Sequence, residues 1–187
     1  MYNFKKIKHY YIGDNLKKVI IILGIISSLL ILNNKEEIII IPNESIRIRV
    51  IANSNKKEDQ NLKNKIKDDL TKKINLLLKD TKNINEARNI LKKSIPDIDV
   101  TIASSLKKQE SNETYKINYG MNYFPEKEFK GVIYKEGMYE SLVVTLGEGK
   151  GNNWWCVLYP PLCMVESNSN VEYKSLVKEI IDKYINN

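Results

Sequence analysis

Between Pro96 and Tyr123 the chain reads PDIDVTIASSLKKQESNETYKINYGMNY, and within this stretch the period of the apolar positions changes. Ile98, Ile102, Ala103 and Leu106 recur by threes and fours, the spacing of one helix face. Pro96 suits the first position of that helix, where a missing N–H costs nothing. The polar run from Lys107 to Asn112 ends it. Tyr115, Ile117, Tyr119, Met121 and Tyr123 then alternate with Lys116, Asn118, Gly120 and Asn122, the period of a half-buried strand. A helical run that passes directly into an alternating strand points to a fold in which helices and strands are segregated along the chain.

The flanking segments extend this pattern. Towards the N-terminus, a helix is predicted over 85–94. Before it comes a long amphipathic helix over 56–80, carrying Leu62, Ile66, Leu70, Ile74, Leu77 and Leu78 on one face. Asn55 with Glu58 has the form of a capping box for that helix. Ile46 to Ile51 (IRIRVI) reads as a strand. Towards the C-terminus, Phe124–Pro125 ends the alternating strand. Short strands come next at 131–134, 139–146 and 154–159, with Gly137 near a turn. Leu176, Val177, Ile180, Ile181 and Tyr184 mark a last helix over 171–185. The expected architecture is one α+β domain, residues 46–187, in which amphipathic helices pack on an antiparallel sheet.

The scarce residues collect in one place. Gly147 to Cys163 (GEGKGNNWWCVLYPPLC) holds both tryptophans, both cysteines, three of the eight glycines and two of the five prolines. On a strand, Trp154 and Trp155 point to opposite faces. One would fill the core, and the other would lie exposed or under the Pro160–Pro161 bend. The alternative is that both are buried. An exposed tryptophan beside a rigid bend suits a protein contact.

The net charge of +7 is spread unevenly. Residues 1–18, a basic segment predicted to stay in the cytoplasm, carry five lysines (Lys5, Lys6, Lys8, Lys17 and Lys18) against one aspartate. They precede the uncharged run Val19 to Leu32 (VIIILGIISSLLIL). Lysines before an apolar run hold that side in the cytoplasm and direct the C-terminal side of the run across the membrane. The run is short against the roughly 18–20 residues of a full span, so 19–32 reads as a signal-peptide core or a membrane anchor, with a buried core helix as the alternative. Residues 33–45 read as a polar linker with an apolar island at Ile38–Ile41. No basic patch with interleaved aromatics occurs, so the charge does not indicate nucleic-acid binding. Once exported, Cys156 and Cys163 would sit in an oxidising compartment. There an even count favours a disulfide, the alternative being two buried thiols.

Catalytic options are few. The one histidine, His9, precedes the apolar run. The exported part therefore has no Ser–His–Asp or Cys–His pair, and two cysteines alone make no zinc site. Gly147–Gly151 lacks the spacing of a phosphate-binding loop. No cofactor, metal or small-molecule substrate is implied. One enzymatic route stays open: paired carboxylates among Glu126, Glu128, Glu140 and Glu148, with a tryptophan stacking on a sugar, would make a peptidoglycan-active glycosidase.

IRIRVIANS from Ile46 to Ser54, followed by Asp59–Gln60, Leu62–Lys63 and Asp68, resembles the N-terminal signature of the stage II sporulation protein R family. Phe124–Pro125 with Lys127 and Gly131 is similar to its middle motif, and Gly147–Cys163 to its most characteristic block. The resemblance covers about residues 46–166; Asn55 stands where the family often has Asp. It implies a signalling protein rather than an enzyme. Such a protein is exported from the forespore into the space between the septal membranes, either secreted or anchored. There it triggers a membrane-embedded aspartic protease of the mother cell, which processes pro-sigma-E. On that implication Gly147, Gly149, Asn153, Trp154, Trp155, Pro160 and Pro161 are candidate partner contacts, held by a Cys156–Cys163 bridge. The alternatives are the glycosidase and a passive membrane-tethered scaffold.

Overall fold

The computed structural model describes residues 16–27, 39–165 and 170–185. The chain divides into two units, 1–37 and 38–187. In the first, residues 16–27 form a helix, α1, with exposed Leu16, Val19, Ile20 and Leu23. Lys5, Lys6, Lys8, His9, the end of the apolar run at 28–32 and the start of the linker at 33–38 lie outside the described residues. Among the described residues no helix is long and apolar enough to cross a membrane.

The second unit runs β1 (Ile39–Ile40), β2 (Ile46–Ile51), α2 (Lys57–Leu78), α3 (Ile84–Lys93), α4 (Ile95–Lys108), β3 (Tyr115–Phe124), β4 (Lys127–Phe129), β5 (Val132–Tyr134), β6 (Gly137–Leu146), β7 (Asn153–Tyr159), a 3-10 turn (Leu162–Met164) and α5 (Asn170–Tyr184). The fold is α+β, as expected.

Four strands form the central sheet in the order β3-β6-β2-β7, and β1-β5-β4 form a smaller one. The central sheet is mixed, not purely antiparallel. β2 lies parallel to β6 and antiparallel to β7, while β3 is antiparallel to β6. The three helices after β2 lead into β3, which runs opposite to β2, and the chain reverses again through β4 and β5, so β6 pairs with β2 in the same direction.

Alternation along β2 decides the layers. Ile46, Ile48 and Val50 are buried against Ile66, Leu70 and Ile74 of α2, Leu91 of α3, and Ile98 and Ile102 of α4. The opposite face bears Arg47, Ser141, Val143 and Val157. A second core of Ile39, Ile41, Val132, Tyr134, Val157, Leu162, Tyr173 and Val177 forms on that side from the small sheet, the 3-10 turn and α5. The helices therefore cover one face of the central sheet, and the second core covers the β7 side of the other.

Several local expectations change. The apolar island assigned to the linker is part of the domain: Ile39 and Ile40 pair in parallel with Val132 and Ile133, and Ile41 is buried. On α4, Ala103 is exposed and Ser105 takes the buried position. The capping box does not form. Lys56 is the N-cap without a side-chain bond, and Asn55 Oδ1 instead accepts from Asn152 N at 2.7 Å. The alternation of β3 reverses near Gly120, leaving Met121 and Tyr123 exposed while Phe124 is buried on the other face. The helix layer covers Tyr115 to Tyr119 but not that end of the strand.

Candidate partner-contact site

Two loops, one after β2 and one after β6, clasp each other. Beyond the end of β2, Ala52 O accepts from Gly151 N and Asn53 O from Lys150 N, both at 2.9 Å. Asn53 Oδ1 accepts from Glu148 N at 2.9 Å. Ser54 Oγ donates to Asp59 Oδ2 at 2.6 Å, and Gln60 Nε2 donates to Ser54 O at 2.9 Å. Lys63 Nζ, nearly buried, donates to Gln60 Oε1 at 2.7 Å and Asn152 O at 3.3 Å. Burial, and next the charge of Lys67, lower its pKa. Glycine is required here twice over. Gly147 has φ +52°, and a Cβ on Gly151 would overlap the Ser54 carbonyl. The ANSN and GEGKGN segments, with Asp59 and Gln60, thus satisfy one another and fix the start of β7.

The other end of β7 is fixed covalently. A disulfide joins Cys156 on the strand to Cys163 on the 3-10 turn, with the Cα atoms 5.6 Å apart. Between them the chain bends through a cis Tyr159–Pro160 bond. Pro160 is buried and Pro161 half-buried.

Between the clasp and the bridge lie the tryptophans, both half-buried and on opposite faces. Trp154 packs on the helix-side core, with Lys67 Nζ 5.5 Å from its ring. Trp155 stands edge-on to Phe124 at 5.4 Å and to Tyr134 at 5.3 Å. A cavity of about 280 Å³ opens beside β7, and its described lining includes Lys127, Phe129, Trp154, Trp155, the bridge and Tyr173. Tyr134 and Tyr173, both in the lining, share a hydrogen bond at 2.7 Å. Burial raises both phenol pKa values.

Of the candidate contacts, Trp154 and Trp155 line the cavity with the bridged cysteines, and Asn153 is exposed at the start of β7. Gly147 and Gly149 lie in the clasp, apart from the cavity, and the prolines shape the bend. Lys127, Phe129, Tyr134 and Tyr173 join the tryptophans, although no sequence pattern marks them as contacts. Of these, only Lys127 belongs to a recognisable motif.

Beneath Trp155 lies an unexpected group. Arg47 is fully buried, its guanidinium 3.4 Å from the Tyr139 ring centroid and 5.1 Å from that of Trp155. Its Nη2 donates to Lys135 O at a long 3.5 Å, the Tyr139 side chain is a second hydrogen-bond partner, and Nε and Nη1 have no partner among the described residues. Burial lowers its pKa to about 10. Arg49, stacked on Phe124 at 4.0 Å, donates to Tyr123 O at 2.7 Å.

The glutamates are dispersed in their roles. Glu140 receives Arg88 Nε at 2.7 Å and 2.9 Å, and Tyr119 OH at 3.0 Å. Glu148 pairs with Lys150 at 2.6 Å on the surface, and Glu126 and Glu128 are exposed. Among the described residues no cluster could hold a metal ion.

A family model described as stage II sporulation protein R matches residues 42–169. Stage II sporulation protein R of Bacillus subtilis (strain 168) is 37% identical over 144 residues, taking in 77% of this chain and 62% of that protein. The chain therefore spans less than two thirds of that relative's length. No solved structure matches it. The matched span contains the clasp, the bridge and most of the cavity lining, and the chain belongs to the stage II sporulation protein R family, a family of sporulation proteins.

Proposed function

We propose that this protein is an exported sporulation signal that triggers a membrane-embedded aspartic protease of the mother cell to process pro-sigma-E. It works by docking and not by catalysis. The observation that carries this reading is an aromatic strand held rigid at both ends, by the clasp and by the bridge, beside an open cavity. A preorganised surface of this kind loses little entropy on binding. The lysine-flanked apolar run supports export, either as a cleaved signal or as an anchor, and a disulfide suits an oxidising compartment.

Activation requires tighter binding to the active form of the protease than to the inactive one, and about 1.4 kcal/mol of difference shifts the balance tenfold. Glu140 is held by Arg88 and Tyr119, which suits a structural ion pair better than a glycosidase acid. Co-expression of this chain with the protease and pro-sigma-E in a non-sporulating host tests the proposal. Cleavage should appear only when the chain is present. Cleavage in its absence, or none in its presence, refutes the reading.

A further inference from the structure

We infer that β7 receives an extended segment of the partner as an added strand, and that this segment places one bulky apolar side chain in the cavity and carboxylates beside Lys127. The inference rests on the docking role proposed above and specifies its chemistry. β7 is an edge strand, paired only with β2 among the described residues. Edge strands of monomeric proteins are protected by charges, by proline or by a covering element. Asn153–Tyr159 reads NWWCVLY, without a charge or a proline. The Val157 end is shielded by the bridged 3-10 turn, where Cys163 Sγ lies 2.9 Å from Val157 O. The Asn153–Cys156 end is half-buried or exposed, and the cavity opens there. Strand addition uses main-chain hydrogen bonds for affinity and pockets for alternate side chains for specificity.

Size and charge narrow the occupant. At about 280 Å³ the cavity falls just below the ~300–1,000 Å³ of cofactor and drug sites, and suits one side chain. Its described lining is aromatic and aliphatic with one lysine and no carboxylate. Lys127 Nζ stands 5.1 Å from the Trp155 ring and 5.6 Å from Phe129, and Lys130 Nζ stands 5.6 Å from Tyr173. Lys127 is the one charged residue of the described lining, so the complementary segment is acidic.

The test is titration of the full chain with the peptide Ac-Asp-Phe-Asp-Val-Asp-NH2 and with its lysine counterpart, monitored by tryptophan fluorescence. Trp154 and Trp155 are the only tryptophans and both line the cavity. The acidic peptide should bind about tenfold tighter. It should also slow amide exchange at Asn153–Cys156. Lys127→Glu, at an exposed position, should reverse the preference without unfolding the domain, and Val165→Phe should block the cavity. Equal binding of both peptides, no binding of either, or an unchanged preference in Lys127→Glu overturns the inference. So does a fluorescence change with phosphatidylglycerol vesicles alone, which would make the surface a lipid contact. If peptides fail while pro-sigma-E cleavage still requires the chain, strand addition falls and the signalling role stands.

Discussion

Replacing Arg47 by methionine should stabilise the domain. The guanidinium is fully buried, its hydrogen-bond partners are Lys135 O at a long 3.5 Å and the Tyr139 side chain, and no carboxylate is among the groups that set its pKa. Burying an ion costs several kcal/mol even after relaxation. Against that stand the Tyr139 contact at 3.4 Å, a cation–π interaction of about 2 kcal/mol when desolvated, and the weak hydrogen bonds to Lys135 O and Tyr139, about 1 kcal/mol or less each. Methionine fills similar volume, keeps contact with the rings and needs no partner. The expected gain is about 1–3 kcal/mol, within the range seen when buried ions are replaced by apolar groups. Urea unfolding at pH 7, monitored by tryptophan fluorescence, should show the midpoint raised by about 1 M at an m-value near 2 kcal/mol/M. A midpoint lowered by more than ~0.5 M would refute the reasoning, because it would mean that the cation is compensated within the fold.

Reducing the Cys156–Cys163 bridge, or changing both cysteines to serine, should cost about 2.5 kcal/mol for its eight-residue loop, lowering Tm by about 5–10 °C in calorimetry with and without reductant. Gly151→Ala should push the Ser54 carbonyl out of the clasp and cost about 1–3 kcal/mol in denaturant unfolding, with faster amide exchange at Lys150 and Asn152. Stability should fall as pH rises above about 10. Folding raises the pKa of Tyr119, Tyr134 and Tyr173, so the unfolded chain loses those protons first. Arg47 works in the opposite direction above about pH 10, because burial lowers its pKa and the unfolded chain there holds the extra proton, so the alkaline loss should be steeper in Arg47→Met.

Much of the fold could be read locally. The spacing of Leu62, Ile66, Leu70 and Ile74 marks α2 whatever surrounds it, and rarity alone marks the Trp–Cys block. The features that escaped reading depend on distant partners. Ile39–Ile40 is a strand only because Val132–Ile133 lies beside it, and two residues carry no period. The parallel pairing of β2 with β6 arises because the chain passes through the helices into β3 and reverses again before β6, which IRIRVI does not encode. Nothing in that motif marks Arg47 for burial, yet the Phe124, Tyr139 and Trp155 rings enclose it. Asn55 has the chemistry of a cap, but Asn152 claims its side chain across the clasp. The cavity gathers Lys127, Phe129 and Tyr173 from β4 and α5, a convergence set by tertiary packing and absent from any local pattern.

The most direct test of the account is pro-sigma-E cleavage in the reconstituted host with Trp154→Ala, Trp155→Ala and Pro161→Ala forms of the chain, each checked for folding by circular dichroism. Folded variants whose processing falls well below that of the unsubstituted chain are expected. Undiminished processing by all three would contradict it, and loss of fold in all three would assign the block to structure alone.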